Sequence, residues 1–337
     1  MKLPHPIWIS TTIIAVFGIA IYIASLTSIP VEPPPAEKLH FGLPMQPSSA
    51  LAIIALKKGF FSQAGLNIAL SEYPSGKRAL HEGLFTGIVD ITTASELPAT
   101  MAALNDRDIQ ILASIFSANN VNRVVARKSA GISRPEDLKG KRVATQKSSA
   151  VHYFLHTFQV QNRIKAEELS VSFMKAEALP HALASGDIDA FSMREPFVSE
   201  AVNLLKDDAI VFSAPGAYPQ VDVVVTTSSL LKTKPHLAQR FIKGLLMAES
   251  FAQAQRDEAI ALVAKHIGAP EDKIAALWPE ISLSVAFEHD TLLLMESQAR
   301  WAMENQLTQT ESMPNLLDFI SLDTLYELKP QAVTVIR

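Results

Sequence analysis

The sequence predicts an α/β fold of two similar lobes. Three observations point there. The chain has 337 residues, more than one hydrophobic core usually serves. Short apolar runs alternate with helical stretches from Leu39 onward. An ordered set of landmarks also recurs at an offset of 99 or 100 residues.

The alternation is read in order. Ile68–Leu70, Ile109–Ile115, Arg142–Ala144, Val171–Phe173 and Val221–Thr226 have the short, β-branched character of strands. Ala50–Lys58, Lys77–Phe85, Ala150–Val160 and Pro235–Arg256 read as helices. After Pro235 the chain is nearly all helical. Ala259–His266 stops at Gly268, and Pro270-Glu271-Asp272 restarts a helix with acids in its first turn.

In the repeat, Ser48-Ser49-Ala50 opens a helix and a strand near Leu66–Leu70 follows. A helix with Leu80 and Leu84 then leads into Gly87-Ile88-Val89-Asp90. The second round has Ser148-Ser149-Ala150, Leu169–Phe173, Leu179 with Leu183, and Gly186-Asp187-Ile188-Asp189. Past the aspartates, Thr93 falls opposite Ser192 and Glu96 opposite Glu195.

Composition limits the function. The net charge is −4, which gives no basic field for DNA or RNA. There is no cysteine, hence no disulfide, thiolate metal site, cysteine nucleophile or lipidated cysteine. Ile7 to Leu26 is almost unbroken apolar sequence, long enough to span a bilayer core of roughly 30 Å. Lys2 lies before it and no Lys or Arg within it, so the remainder is expected outside the cytoplasm. The segment is either an uncleaved anchor or a cleaved signal ending near Ser25-Leu26-Thr27. Pro30-Val31-Glu32-Pro33-Pro34-Pro35 then reads as a stiff spacer. The expected organisation is anchor or signal 1–28, linker 29–38, first lobe 39–125 with 223–337, and second lobe 126–222.

The repeated positions are candidates for binding. Ser48/Ser49 and Ser148/Ser149 each lie where a turn enters a helix. A serine there caps the helix, and the same helix start can hold an anion. Ligands of α/β sheets sit at the carboxyl ends of strands, where these turns fall. Ser75 and the N–H of Gly76 form a second turn into a helix. Gly76-Lys77 lacks the upstream glycine of a phosphate loop, so no nucleotide site is expected. Thr93, Ser95 and Glu96 precede Pro98, and Arg194 and Glu195 hold the equivalent place in the second half. The two glutamates either cap helices or line a cleft. Arg194 pairs either with an anionic ligand or with a glutamate. His152 and His156 share one helix face, but HExxH is absent and no zinc pair is expected. His152 is a candidate ligand contact. No GxSxG elbow occurs, and no cofactor is implied.

At these residues the chain resembles a known family. The carrying segments are Pro47-Ser48-Ser49-Ala50, Lys58-Gly59-Phe60-Phe61 with Gly65-Leu66, Tyr73-Pro74-Ser75-Gly76-Lys77-Arg78-Ala79-Leu80, Asp137-Leu138-Lys139-Gly140-Lys141-Arg142-Val143 and Gly186-Asp187-Ile188-Asp189-Ala190 with Glu195-Pro196. The resemblance is to the periplasmic substrate-binding proteins of ABC importers for sulfonates, taurine, nitrate and thiamine-pyrimidine precursors. It covers roughly Leu39 to the C-terminus. It implies a type 2 periplasmic-binding-protein fold, two α/β lobes joined by two strands that cross near Asn122–Arg127 and Val221–Thr227. It implies ligand contacts at Ser48, Ser49, Ser75, Thr93, Ser95, Ser148, Ser149, His152 and Glu195. It implies a monomer that captures a small, anionic solute by hinge closure and delivers it to a permease with its ATPase. The alternative is a pyrimidine-precursor binder or a related enzyme on the same fold. Members that make the pyrimidine carry a cysteine-rich segment that this chain lacks, so no enzyme is expected.

Overall fold

The computed structural model describes residues 36–335. The expected span at Ile7–Leu26 and the Pro30–Pro35 spacer lie outside the described residues. Among those described, no helix is long and apolar enough to cross a membrane.

Two sheets organise the chain. The larger contains β1 (Glu37–Pro44), β2 (Leu66–Tyr73), β3 (Ile91–Ser95), β4 (Gln110–Ala118), β10 (Gln220–Thr226) and β11 (Ile281–Ser282), in the order β11-β4-β10-β3-β1-β2. The smaller contains β5 (Arg123–Arg127), β6 (Arg142–Thr145), β7 (Ser170–Phe173), β8 (Ala190–Met193) and β9 (Ala209–Phe212), in the order β7-β6-β8-β5-β9. The two plans coincide. β1 runs parallel to β2 and β3, as β6 does to β7 and β8. β10 inserts antiparallel between β3 and β4, and β5 inserts antiparallel between β8 and β9.

The repeated aspartates show the equivalence at atomic level. The Asp90 carboxylate accepts the His40 N–H at 2.8 Å, and the Asp90 N–H donates to the His40 carbonyl. Asp189 makes the same pair with Arg142, at 3.0 and 2.8 Å. Each aspartate ties the entry of a third strand to a residue of a first, His40 in mid-β1 and Arg142 at the start of β6. Hydrogen bonds from Arg142 hold the Asp189 carboxyl well below the usual range, with a further contribution from Arg127.

The chain passes between sheets from Ala118 to Arg123 and returns from Phe212 to Gln220. β5 and β10 each lie wholly within one sheet. The sequence reading placed the crossings a few residues late, because β-rich runs mark strands whether or not they connect lobes.

Strand alternation builds the cores. In the smaller sheet Val124, Ala126 and Val143 face one way, against Phe154, Leu155 and Phe158 of the helix Ala150–Gln161. Val125, Ala144 and Phe191 face the other way, against Leu179, Leu183 and Val198. The larger sheet is covered by the helices Ala50–Lys57, Pro235–Ala254 and Arg256–Ile267. Phe41 of β1 stacks into a ring cluster with Phe61 and Phe241, at centroid separations of 6.2 and 5.0 Å. The expected helix Lys77–Phe85 is a short turn, Gly76–Arg78, that widens into a π-helix over Ala79–Leu84.

Candidate functional site

The ends of β1, β3 and β8 converge where the two sheets face one another, and the side chains there are polar and buried. Gln46, Ser48, Ser49 and Thr93 are 3% exposed or less. Arg194 enters from the other lobe and is also buried. Its Nη1 donates to Gln220 Oε1 at 2.8 Å and its Nη2 to Gln46 Oε1 at 2.9 Å. Gln220 in turn accepts from Asn122 and donates to Asp222 at 2.7 Å.

Several buried polar atoms of these residues have unmet hydrogen-bonding capacity. Arg194 Nε, Gln46 Nε2, Ser48 Oγ, Ser49 Oγ and Thr93 Oγ1 are buried and make no hydrogen bond among the described residues. Each can donate. An unpaired buried donor costs about 1–3 kcal/mol, more when charged, so native chains keep few of them. No carboxylate lies within ion-pair distance of Arg194 among the described residues. Its guanidinium therefore carries a buried positive charge whose partners are two neutral amide oxygens. The cavity beside Ser48, Phe116, Arg194 and Leu277 measures about 20 Å³, room for a water, which needs roughly 10–15 Å³, and little more.

The glutamates have other employment. Glu96 is fully buried. Its carboxylate accepts the Tyr218 hydroxyl, Gln298 Nε2 at 2.6 Å and the Val221 N–H at 2.9 Å. Burial pushes its pKa up to about 7 against the pull of these donors. Glu195 caps its own helix by accepting the N–H and hydroxyl of Ser199 at 3.1 and 2.9 Å.

The other candidates spread along the seam. Ser95 is buried at the end of β3 and makes no side-chain cap bond to the helix Glu96–Leu104. Ser75 caps its short helix at Arg78 N and accepts Gln146 Nε2 across the seam at 3.3 Å. Ser149 Oγ donates to the Gln146 carbonyl at 2.5 Å. Ser148 has a left-handed φ of 51°, and its N–H donates to His152 Nδ1 at 3.3 Å. That bond leaves the ring proton on Nε2. Burial, then the charge of Lys77, lowers the His152 pKa to about 4. His152 and Tyr153 each lie 5.1 Å, centroid to centroid, from Trp301 of the helix His289–Glu304. His156 meets the same ring at 5.8 Å.

Sequence reasoning missed Gln46, Gln220, Tyr218, Gln298 and Trp301. One signal was available for Gln298. It interrupts the buried stripe Leu292, Met295, Ala299 and Ala302 of its helix.

The NMT1/THI5-like family model matches residues 46–259, more than half of the chain. The chain belongs to the NMT1/THI5-like family. The match begins at Gln46 and includes every residue of the donor cluster. Within the family's relatives, the chain is 26% identical over 254 residues to the taurine-binding periplasmic protein of Escherichia coli, covering 72% of this chain and 77% of that one. It is also 26% identical over 220 residues to an Escherichia coli protein provisionally named as aliphatic sulfonates-binding. That match covers 62% of this chain and 65% of the relative's length. The crystal structure of the periplasmic aliphatic sulphonate binding protein SsuA from Escherichia coli superposes with a TM-score of 0.69 at 21% identity. It covers 84% of this chain and 97% of that one. The periplasmic-binding-protein fold is therefore that of this NMT1/THI5-like chain.

Proposed function

We propose that this chain is the extracytoplasmic solute-binding component of an ABC importer, and that it captures a small sulfonate or related oxyanion between its lobes. The observation that carries the reading is Arg194, a buried guanidinium without a carboxylate partner that bonds Gln46 and shares its cavity with Ser48, both with unpartnered donors, on a chain whose Ser49 and Thr93 hydroxyls are also buried and unpartnered. A sulfonate presents three acceptor oxygens and one negative charge, which complement such a cluster. The names of the relatives favour the same class.

The mechanism is closure. Arg194 belongs to one lobe and the serines to the other, so an anion gains both sets of contacts only when the lobes meet. The closed form is what a permease would recognise. We read the site as one of binding without turnover. The His152 Nδ1 lone pair is taken by the Ser148 N–H, which leaves that ring no base function toward a serine. The apolar run Ile7–Leu26 supports attachment at the outer face of the cytoplasmic membrane.

A thermal-shift screen of alkanesulfonates, nitrate, carboxylates and pyrimidines tests the proposal. Saturating sulfonate is expected to raise the melting temperature by several degrees, since a ligand at 100 times its Kd adds about 2.7 kcal/mol. A rise with pyrimidines alone would refute the oxyanion reading.

A further inference from the structure

The cavity at Arg194 has too little room for a whole solute, and a larger one adjoins it. Three residues that line the Arg194 cavity, Val121, Glu195 and Leu277, also line a cavity of about 180 Å³. Val121 belongs to the Ala118–Arg123 crossing, so the larger cavity lies beside the passage between the sheets.

One helix face supplies much of its wall. Lys273, Ala276, Leu277 and Glu280 follow the spacing i, i+3, i+4, i+7, and all four line the larger cavity. They run along the helix Glu271–Leu277 and the turn Trp278–Glu280. Ile274 anchors that helix in the core of the larger sheet. Ile281 and Ser282 then pair with Ala118 and Ser117 at the end of β4, which sets the wall beside the crossing. Arg123 at the start of β5 and Val198 of the helix Phe197–Leu205 bring in the second lobe.

The lining holds two acids and two bases, so it has no net charge with which to select a charged tail. Arg123 Nη1 donates to the Asn120 and Asn122 carbonyls at 2.6 and 2.9 Å, and Glu195 caps its helix at Ser199. Lys273 and Glu280 are exposed to solvent. The apolar side chains are Val121 and Leu277, shared with the Arg194 cavity, together with Val198 and Ala276.

We propose that the solute carries an uncharged, apolar carbon chain, and that Val121, Val198, Ala276 and Leu277 receive it and set the length accepted. The inference rests on the oxyanion reading of Arg194, which holds the head group. The head nearly fills the space beside Arg194, so the rest of the molecule occupies the adjoining cavity. Each methylene buried there adds affinity until the cavity is full.

Calorimetric titration of the full chain with methanesulfonate and propanesulfonate provides the test. Propanesulfonate is expected to bind about tenfold more tightly, the gain for two buried methylenes. Ala276→Phe fills the larger cavity from an exposed helix position, which the fold tolerates. In that variant the ratio between the two ligands is expected to fall toward one. Asn305→Phe, in the separate groove at Trp301, should leave the ratio as it is. A ratio near one in the parent, or a ratio that survives Ala276→Phe, overturns the inference. Acetate and butyrate form a parallel pair. If no sulfonate binds, but butyrate exceeds acetate and Ala276→Phe removes the gain, the sulfonate reading fails while the chain-binding cavity stands. If neither pair gains with length, the inference fails.

Discussion

Arg194→Met is expected to weaken sulfonate binding by about a hundredfold or more. Removing one member of a buried, hydrogen-bonded charge pair costs 2–5 kcal/mol, and about 2.7 kcal/mol is two decades in Kd. The unliganded protein should behave differently. The substitution strands Gln46 Oε1 and leaves Gln220 Oε1 with Asn122 alone, which is destabilising, but it also removes a buried cation with no carboxylate partner. The two effects oppose, so the unliganded melting temperature should change little. Calorimetry gives the affinity and a thermal melt without ligand gives the stability. A variant that melts far below the parent would mark Arg194 as a structural pin between the lobes. A variant that retains full affinity would remove it from the site.

Glu96→Gln is expected to change how stability depends on pH. Burial raises the Glu96 carboxyl to about 7 in the folded chain, whereas an unfolded glutamate titrates near 4.3. The folded state therefore holds a proton that the unfolded state has lost between those values. The associated stability is complete below about pH 4.3 and is lost as pH rises through 7, a change on the order of 3–4 kcal/mol over the whole range. Glutamine cannot ionise. Urea denaturation at pH 5.5 and 8.5 should show the variant gaining on the parent by about 2 kcal/mol at the higher pH. His152 is depressed by burial and pulls the opposite way, adding stability as pH rises above its folded value. It is common to both chains and cancels in the difference. A difference that does not move with pH would show that Glu96 ionises as easily folded as unfolded.

The lobe plan was legible because each lobe reuses one strand order, and the order demands the same residues at the same places. Asp90 and Asp189 tie equivalent strands with equivalent bonds, so their spacing survives in the sequence. The turns after β1 and β3 were legible for the same reason. Ser48 and Ser49 follow β1 and precede a helix, Thr93 lies near the end of β3, and all three hydroxyls are buried and unpartnered.

The paired glutamates show where such symmetry ends. Glu96 and Glu195 hold matching positions in the repeat but different environments. Glu96 is met by Tyr218 from the return passage and by Gln298 from the helix His289–Glu304. Those segments occur once in the chain, so no repeat predicts them. Glu195 lacks such neighbours and turns to Ser199 of its own helix. Gln46 and Gln220 escaped notice for a related reason. A glutamine carries no local signature, and theirs is a tertiary role, gripping one guanidinium from two distant segments.

The central claim is that an oxyanion is held between the lobes at Arg194. A crystal structure of the chain grown with an alkanesulfonate measures this directly. The sulfonate oxygens are expected within about 3 Å of Arg194 Nε and of at least two of Ser48, Ser49 and Thr93. A sulfonate bound instead in the 530 Å³ groove between His156 and Trp301, with Arg194 Nε still unpartnered, would contradict the claim.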